Sequence, residues 1–168
     1  LIGGSLAKAY QRDAHWTVLG WDTDRSILDF AQLAQAVDGV LDETSIASCD
    51  LLLLASYPQS VIDYLNTMAA RIAKTPLVMD CCGTKEKVCQ AGFAAADQYG
   101  FTSVGGHPMA GTHNSGFKYS QSNLFDGAPM VVVPQRFDDI RLLDRVKMLL
   151  EPLRFGRYSV TTAQEHDK

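Results

Sequence analysis

Short apolar runs alternate with amphipathic segments along this 168-residue chain, and that alternation leaves it few folds. The runs at 15–21, 50–55, 77–80, 101–104 and 130–133 are too short for core helices and lack the polar alternation of a half-exposed sheet, so they are expected to be buried strands. Between them, 5–12, 25–35, 61–72, 85–99 and 140–150 repeat apolar residues at helical spacing. Strands buried on two faces need helices above and below. The expected fold is therefore α/β, a doubly wound, mainly parallel sheet with helices on both faces. In such a sheet ligands sit at the C-terminal ends of the strands, which carry Asp22, Ser56-Tyr57-Pro58, Gly83-Thr84-Lys85 and a glycine-histidine segment.

Composition narrows the partners. A formal net charge of −4 with no Lys/Arg cluster argues against a nucleic-acid surface. No apolar stretch approaches the roughly 18 residues of a membrane span, and nothing resembles a signal peptide. The four cysteines, Cys49, Cys81, Cys82 and Cys89, lack Cys-x-x-Cys spacing and are expected to be reduced thiols of a cytoplasmic protein, packed rather than reactive. No ligand spacing suggests a metal.

The densest chemistry lies in Gly105-Gly106-His107-Pro108-Met109-Ala110-Gly111-Thr112. Glycines on both sides of the imidazole permit close backbone approach, and Pro108 stiffens the segment. With the preceding strand expected to end at Val104, His107 is read as a loop residue with room beside it for a ligand. An imidazole changes charge near neutrality, which makes His107 the candidate acid or base. A satisfied structural histidine is the plain alternative.

A dinucleotide is the expected cofactor. A Rossmann phosphate turn places G-x-G-x-x-G between strand and helix, so that backbone amides reach a pyrophosphate at the helix N-terminus. Leu1-Ile2-Gly3-Gly4-Ser5-Leu6-Ala7 has the character of such a turn's end, with Gly3 as its last glycine and the first strand expected upstream of residue 1. Asp22 follows Gly3 by 19 residues, at the end of the next expected strand. A carboxylate there accepts from the ribose hydroxyls and repels a 2′-phosphate, which favours NAD over NADP, although Arg25 is near enough to soften the preference. The alternatives are an ordinary helix start for Gly3 and a turn role for Asp22.

With these residues in place, the chain resembles the prephenate and arogenate dehydrogenases of tyrosine biosynthesis. Residues 1–7 are similar to the end of that family's glycine motif, 80–85 to its strand followed by a hydroxyl residue and lysine, and 105–116 to its histidine motif, the most specific of the three. Residues 124–127, 130–134 and Glu165-His166-Asp167 extend the likeness, the last resembling the start of a helical second domain.

The resemblance implies NAD-dependent oxidative decarboxylation of prephenate to 4-hydroxyphenylpyruvate, with arogenate as the alternative small-molecule substrate. It implies that His107 draws the ring hydroxyl proton and that Thr84, standing where serine is usual, helps to hold the same oxygen. It places His113 and Gly106 at the substrate, and Leu1, Ile2, Gly3, Asp22, Ser56 and Pro58 at the cofactor.

Residues 1–162 are then expected to form an NAD-binding domain lacking its first strand, and 163–168 to begin a helical dimerisation and substrate domain. The guanidinium for the substrate carboxylate and most of the homodimer interface would lie in that second domain, so this segment alone is expected to have little activity. Two rivals remain. One is another Rossmann hydroxyacid dehydrogenase, which would rely on a lysine in the helical region. The other is an inactive cofactor-binding fragment.

Overall fold

A computed structural model describes residues 1–168. Its strands are β1 (Leu19–Gly20), β2 (Gly39–Val40), β3 (Leu51–Leu54), β4 (Leu77–Asp80), β5 (Thr102–Pro108), β6 (Pro129–Pro134) and β7 (Arg157–Val160). Its helices are α1 (Ile2–Gln11), α2 (Arg25–Leu33), α3 (Pro58–Met68), α4 (Glu86–Tyr99), α5 (Ile140–Leu149) and α6 (Ala163–His166). Strands β3 to β7 form one sheet in chain order, parallel except for the antiparallel β5–β6 pair. β1 and β2 pair in parallel as a separate two-stranded sheet. No helix is long and apolar enough to cross a membrane.

The period of two along β4 builds the layers. Leu77 and Met79 enter a core cluster with Leu6, Ala9 and Tyr10 of α1 and Val146 of α5, whereas Val78 enters another with Val61 and Leu65 of α3 and Val88 and Ala96 of α4. Alternate side chains of one strand therefore hold helices on opposite faces of the sheet, as the continuous apolar runs implied. Local chemistry sets the helix ends. Asp24 accepts from Ser26 N–H to cap α2, Asp139 accepts from Leu142 N–H to cap α5, and Pro58 opens α3.

The structure corrects the placement of His107. The strand expected to stop at Val104 continues to Pro108, so His107 lies in β5, opposite Val131 of β6, and not in a loop. Positions 105 and 106 of this strand are glycine where nothing larger fits. A Cβ at Gly106 would stand 2.7 Å from Asp80 O and 2.8 Å from Met79 Sδ and Met130 Cε. At Gly105 it would stand 2.5 Å from Cys89 Sγ and 3.1 Å from Val133 Cβ. The two glycines let β5 sit closely between β4 and β6 and against α4.

Other boundaries moved for similar reasons. The run at 15–21 keeps only Leu19–Gly20 as strand, because β2 offers it only two partners. β2 and β7 were not foreseen, the first because it is two residues long and the second because Arg157-Tyr158-Ser159-Val160 is a largely exposed edge strand without an apolar run. α1 begins at Ile2 rather than Ser5.

Replacing Gly106 with alanine is expected to destabilise the fold by about 1–3 kcal/mol, because backbone and packed sulfur atoms must move to admit the methyl group. Gly111, with no atom within 4 Å of its would-be Cβ, is the control, and its alanine variant should stay within about 0.5 kcal/mol. Urea unfolding midpoints measure both.

Candidate active site

The turn from β4 to α4 is anchored by charge buried in the core. Asp80, the last residue of β4, is 7% exposed, and Lys85, at the start of α4, is completely buried. Their side chains form an ion pair, and Asp80 Oδ2 also accepts from Cys82 N–H at 3.0 Å. Neither charge could be buried alone, so the pair closes the Cys81-Cys82-Gly83-Thr84 turn back onto the strand. No buried side-chain nitrogen or oxygen lacks a hydrogen-bond partner.

Three residues meet above this turn. His107 Nδ1 lies 2.8 Å from His166 Nε2, and His166 Nδ1 lies 2.7 Å from Asp167 Oδ1. Asp167 also accepts from the N–H groups of Lys85 and Glu86, and so binds the first turn of α4. The other nitrogen of His107 faces the turn, 3.9 Å from the position a Cβ would take at Gly83. The His107 ring is half-buried. Burial lowers its pKa, reinforced by His166 and Lys85 and opposed by Asp80 and Asp167. The neutral imidazole, the form that can accept a proton, is favoured.

The remaining candidates occupy neighbouring strand ends. Leu1, Ile2 and Gly3 form the first turn of α1, whose N-terminus has no side-chain cap, and the Gly3 would-be Cβ is 3.5 Å from Ala55 Cβ at the end of β3. Ser56 is exposed just beyond it, and Pro58 opens α3. Asp22 is exposed after β1 and accepts from Asp24 N–H at 2.8 Å. Its charge acts on the start of α1. Arg25 is paired with Asp29 along α2. Uncapped helix amides beside an exposed carboxylate suit the pyrophosphate and ribose of a dinucleotide.

Thr84 is exposed next to Gly83 and makes no hydrogen bond to His107, while His113 is exposed in the segment after β5. Gly106 is buried within β5, where protein atoms fill the space around it. All four cysteines are free thiols. Burial pushes the Cys82 and Cys89 thiols up to about 12 and that of Cys81 higher still, so none is a thiolate near neutrality.

Sequence reasoning missed the contributions of His166, Asp167 and the Asp80–Lys85 pair. Thr162, which accepts from Glu165 N–H, was a legible signal that a helix starts there. Nothing local indicated that the helix would end against a histidine 59 residues earlier.

Fold and strand-end cluster together define a Rossmann-type nucleotide-binding domain. The family described as "Prephenate dehydrogenase, nucleotide-binding domain" matches residues 6–156, and the chain belongs to that family. It is 28% identical to the prephenate dehydrogenase of Bacillus subtilis over 99% of this chain and 46% of that protein. The chain thus spans about half the length of this relative. Among solved structures, Synechocystis arogenate dehydrogenase matches with a TM-score of 0.86 and 28% identity, over 99% of this chain and 58% of that one. Aquifex aeolicus prephenate dehydrogenase in complex with hydroxyphenyl propionate and NAD+ matches with a TM-score of 0.79 and 26% identity, over 98% and 58%.

Replacing Lys85 with methionine is expected to cost about 3–5 kcal/mol, because it leaves the Asp80 carboxylate buried without its partner. A second change, Asp80→Asn, should recover part of the loss. Chemical denaturation of the single and double variants provides the comparison.

Proposed function

We propose that this chain is the cofactor-binding part of an NAD-dependent dehydrogenase that converts prephenate to 4-hydroxyphenylpyruvate, with His107 as the base. One observation carries the proposal: a half-buried imidazole at the end of β5, its pKa lowered by burial, has one nitrogen held by His166 and the other turned toward the β4–α4 turn. The relative solved with hydroxyphenyl propionate and NAD+ supports both the substrate class and the cofactor.

In this reading NAD, when bound, would supply the hydride acceptor for the ring carbon that bears the hydroxyl group. His107 Nε2 accepts the hydroxyl proton as that C–H bond breaks, which prevents positive charge from building on the oxygen. The ring carboxylate leaves as carbon dioxide, its bonding electrons complete the aromatic ring, and His107 returns the proton to the phenol oxygen. Thr84, beside Gly83, is assigned to the same oxygen, and His113 to the substrate side, whereas Gly106 packs against Asp80, Met79 and Met130. The first-turn amides at Leu1, Ile2 and Gly3 hold the pyrophosphate, and Asp22 accepts from the adenosine ribose. Ser56 and Pro58 border the nicotinamide half. With Arg25 engaged by Asp29, the uncompensated Asp22 charge favours NAD over NADP.

The same proposal assigns the substrate-carboxylate contact and a homodimer interface to a helical domain beginning at residue 163, in a cytoplasmic enzyme. The likeness to arogenate dehydrogenase makes arogenate the second substrate to assay.

In the full-length protein, His107→Ala should lower kcat by about 10²- to 10⁴-fold with NAD affinity unchanged, as steady-state kinetics and calorimetric titration would measure. Unaltered turnover with both prephenate and arogenate would refute the assignment. Because the His107 pKa is lowered, its neutral form persists to lower pH. The acid limb of kcat/KM should therefore fall below the ordinary histidine range, and a pH–rate profile tests this.

A further inference from the structure

Which nitrogen of His107 carries its proton is decided two residues away from the reacting group. Burial opposes the charge on Asp167, but hydrogen bonds from Glu86 N–H, His166 and Lys85 N–H outweigh it and hold the carboxyl below its usual range. An ionised carboxylate only accepts, so His166 Nδ1 donates to Asp167 across 2.7 Å. A neutral His166 then has no proton on Nε2, which must accept. His107 Nδ1 therefore donates to it across 2.8 Å. His107 Nε2 is left with its lone pair, on the side that faces Gly83.

This order of protons runs against the intrinsic preference of the side chain. A free imidazole side chain in water favours the proton on Nε2, which would place a donor where a base is needed. The charged groups around the ring do not choose a tautomer by direct contact, since Lys85 is bonded to Asp80, and Asp167 reaches His107 only through His166. His166 is the only side chain hydrogen-bonded to the His107 ring.

We propose that His166, oriented by Asp167, is a positioning residue that fixes His107 as the Nδ1–H tautomer and so keeps Nε2 free to take the substrate's hydroxyl proton. The contact rests on geometry, whereas its catalytic value rests on the reading of His107 as the base. When Nε2 is protonated, the imidazolium donates through Nδ1 to His166, whose own proton points to the Asp167 carboxylate. The new positive charge is thereby compensated through hydrogen bonds rather than left in a half-buried site.

Long-range proton–nitrogen correlation spectra of the full-length protein labelled with ¹⁵N-histidine read the tautomer directly, with His107→Gln and His166→Gln used to assign the rings. The expected result near neutrality is Nδ1–H for both His107 and His166. His166→Phe, which keeps a ring but offers no acceptor, should shift His107 to the Nε2–H form. It should lower kcat by about tenfold or more without changing NAD affinity. His166→Gln, whose amide oxygen can accept from Nδ1, should recover much of the loss.

An Nε2–H form of His107 in the unaltered protein, or an Nδ1–H form that survives His166→Phe, overturns the proposal. If His166→Phe does not fold, the spectrum of the unaltered protein decides. A tautomer that follows His166 while turnover is indifferent to His107→Ala would refute the base reading and leave the positioning contact supported.

Discussion

The buried ion pair between Lys85 and Asp80 is the contact on which the geometry around His107 depends, because the elements around that ring meet at it. Asp80 ends β4, and its backbone carbonyl lies where a side chain at Gly106 would have to be. The Lys85 stem runs beneath Gly105, its ammonium neutralises Asp80, and its N–H donates to Asp167. β4, the turn into α4, β5 and the end of α6 are therefore held to one residue whose side chain has no exposure to solvent. A pair of this kind adds little net stability compared with a well-packed apolar pair, yet removing one partner is costly. Together with the Cys82 N–H bond to Asp80, it ties the path of the turn back to the end of β4.

That path determines what surrounds His107. The two glycines let β5 pack tightly beside β4 and against α4, which leaves the imidazole half-buried near a buried ammonium and beside a second imidazole. Burial and both neighbours disfavour its charged form, while Asp80 and Asp167 partly offset them. The same carboxylate of Asp167 joins the first turn of α4 to His166. Backbone capping and imidazole orientation are thus tied to one side chain, so the electrostatics of the site and the docking of α6 are a single arrangement.

Much of this was legible in order along the chain. The runs at 50–55, 77–80 and 130–133 became β3, β4 and β6, and the helical spacing at 25–35, 85–99 and 140–150 became α2, α4 and α5. These are local signals: periodicity, a capping aspartate, a proline at a first turn. His107 stood out for a local reason too, because imidazole flanked by glycines is rare in a core. The reading of the flanking glycines was wrong about the element, since a pair of glycines in sequence marks either a loop or a crowded strand. Which applies depends on Met79, Asp80, Cys89, Met130 and Val133, which are far apart in the chain and close only after folding.

Sequence by itself determined the α/β class and the order of its principal elements, because burial on one or two faces is written in the spacing of apolar residues. It also picked out His107, Asp22 and the start of α1 as strand-end chemistry. Tertiary structure alone decided that Lys85 turns inward to Asp80, that β5 runs through His107, and that His166 and Asp167 reach back to that ring. The physical reason is that desolvation and hydrogen-bond satisfaction depend on what surrounds a group in space. A lysine or a histidine has the same local sequence signal whether its partner is solvent or a residue on another strand.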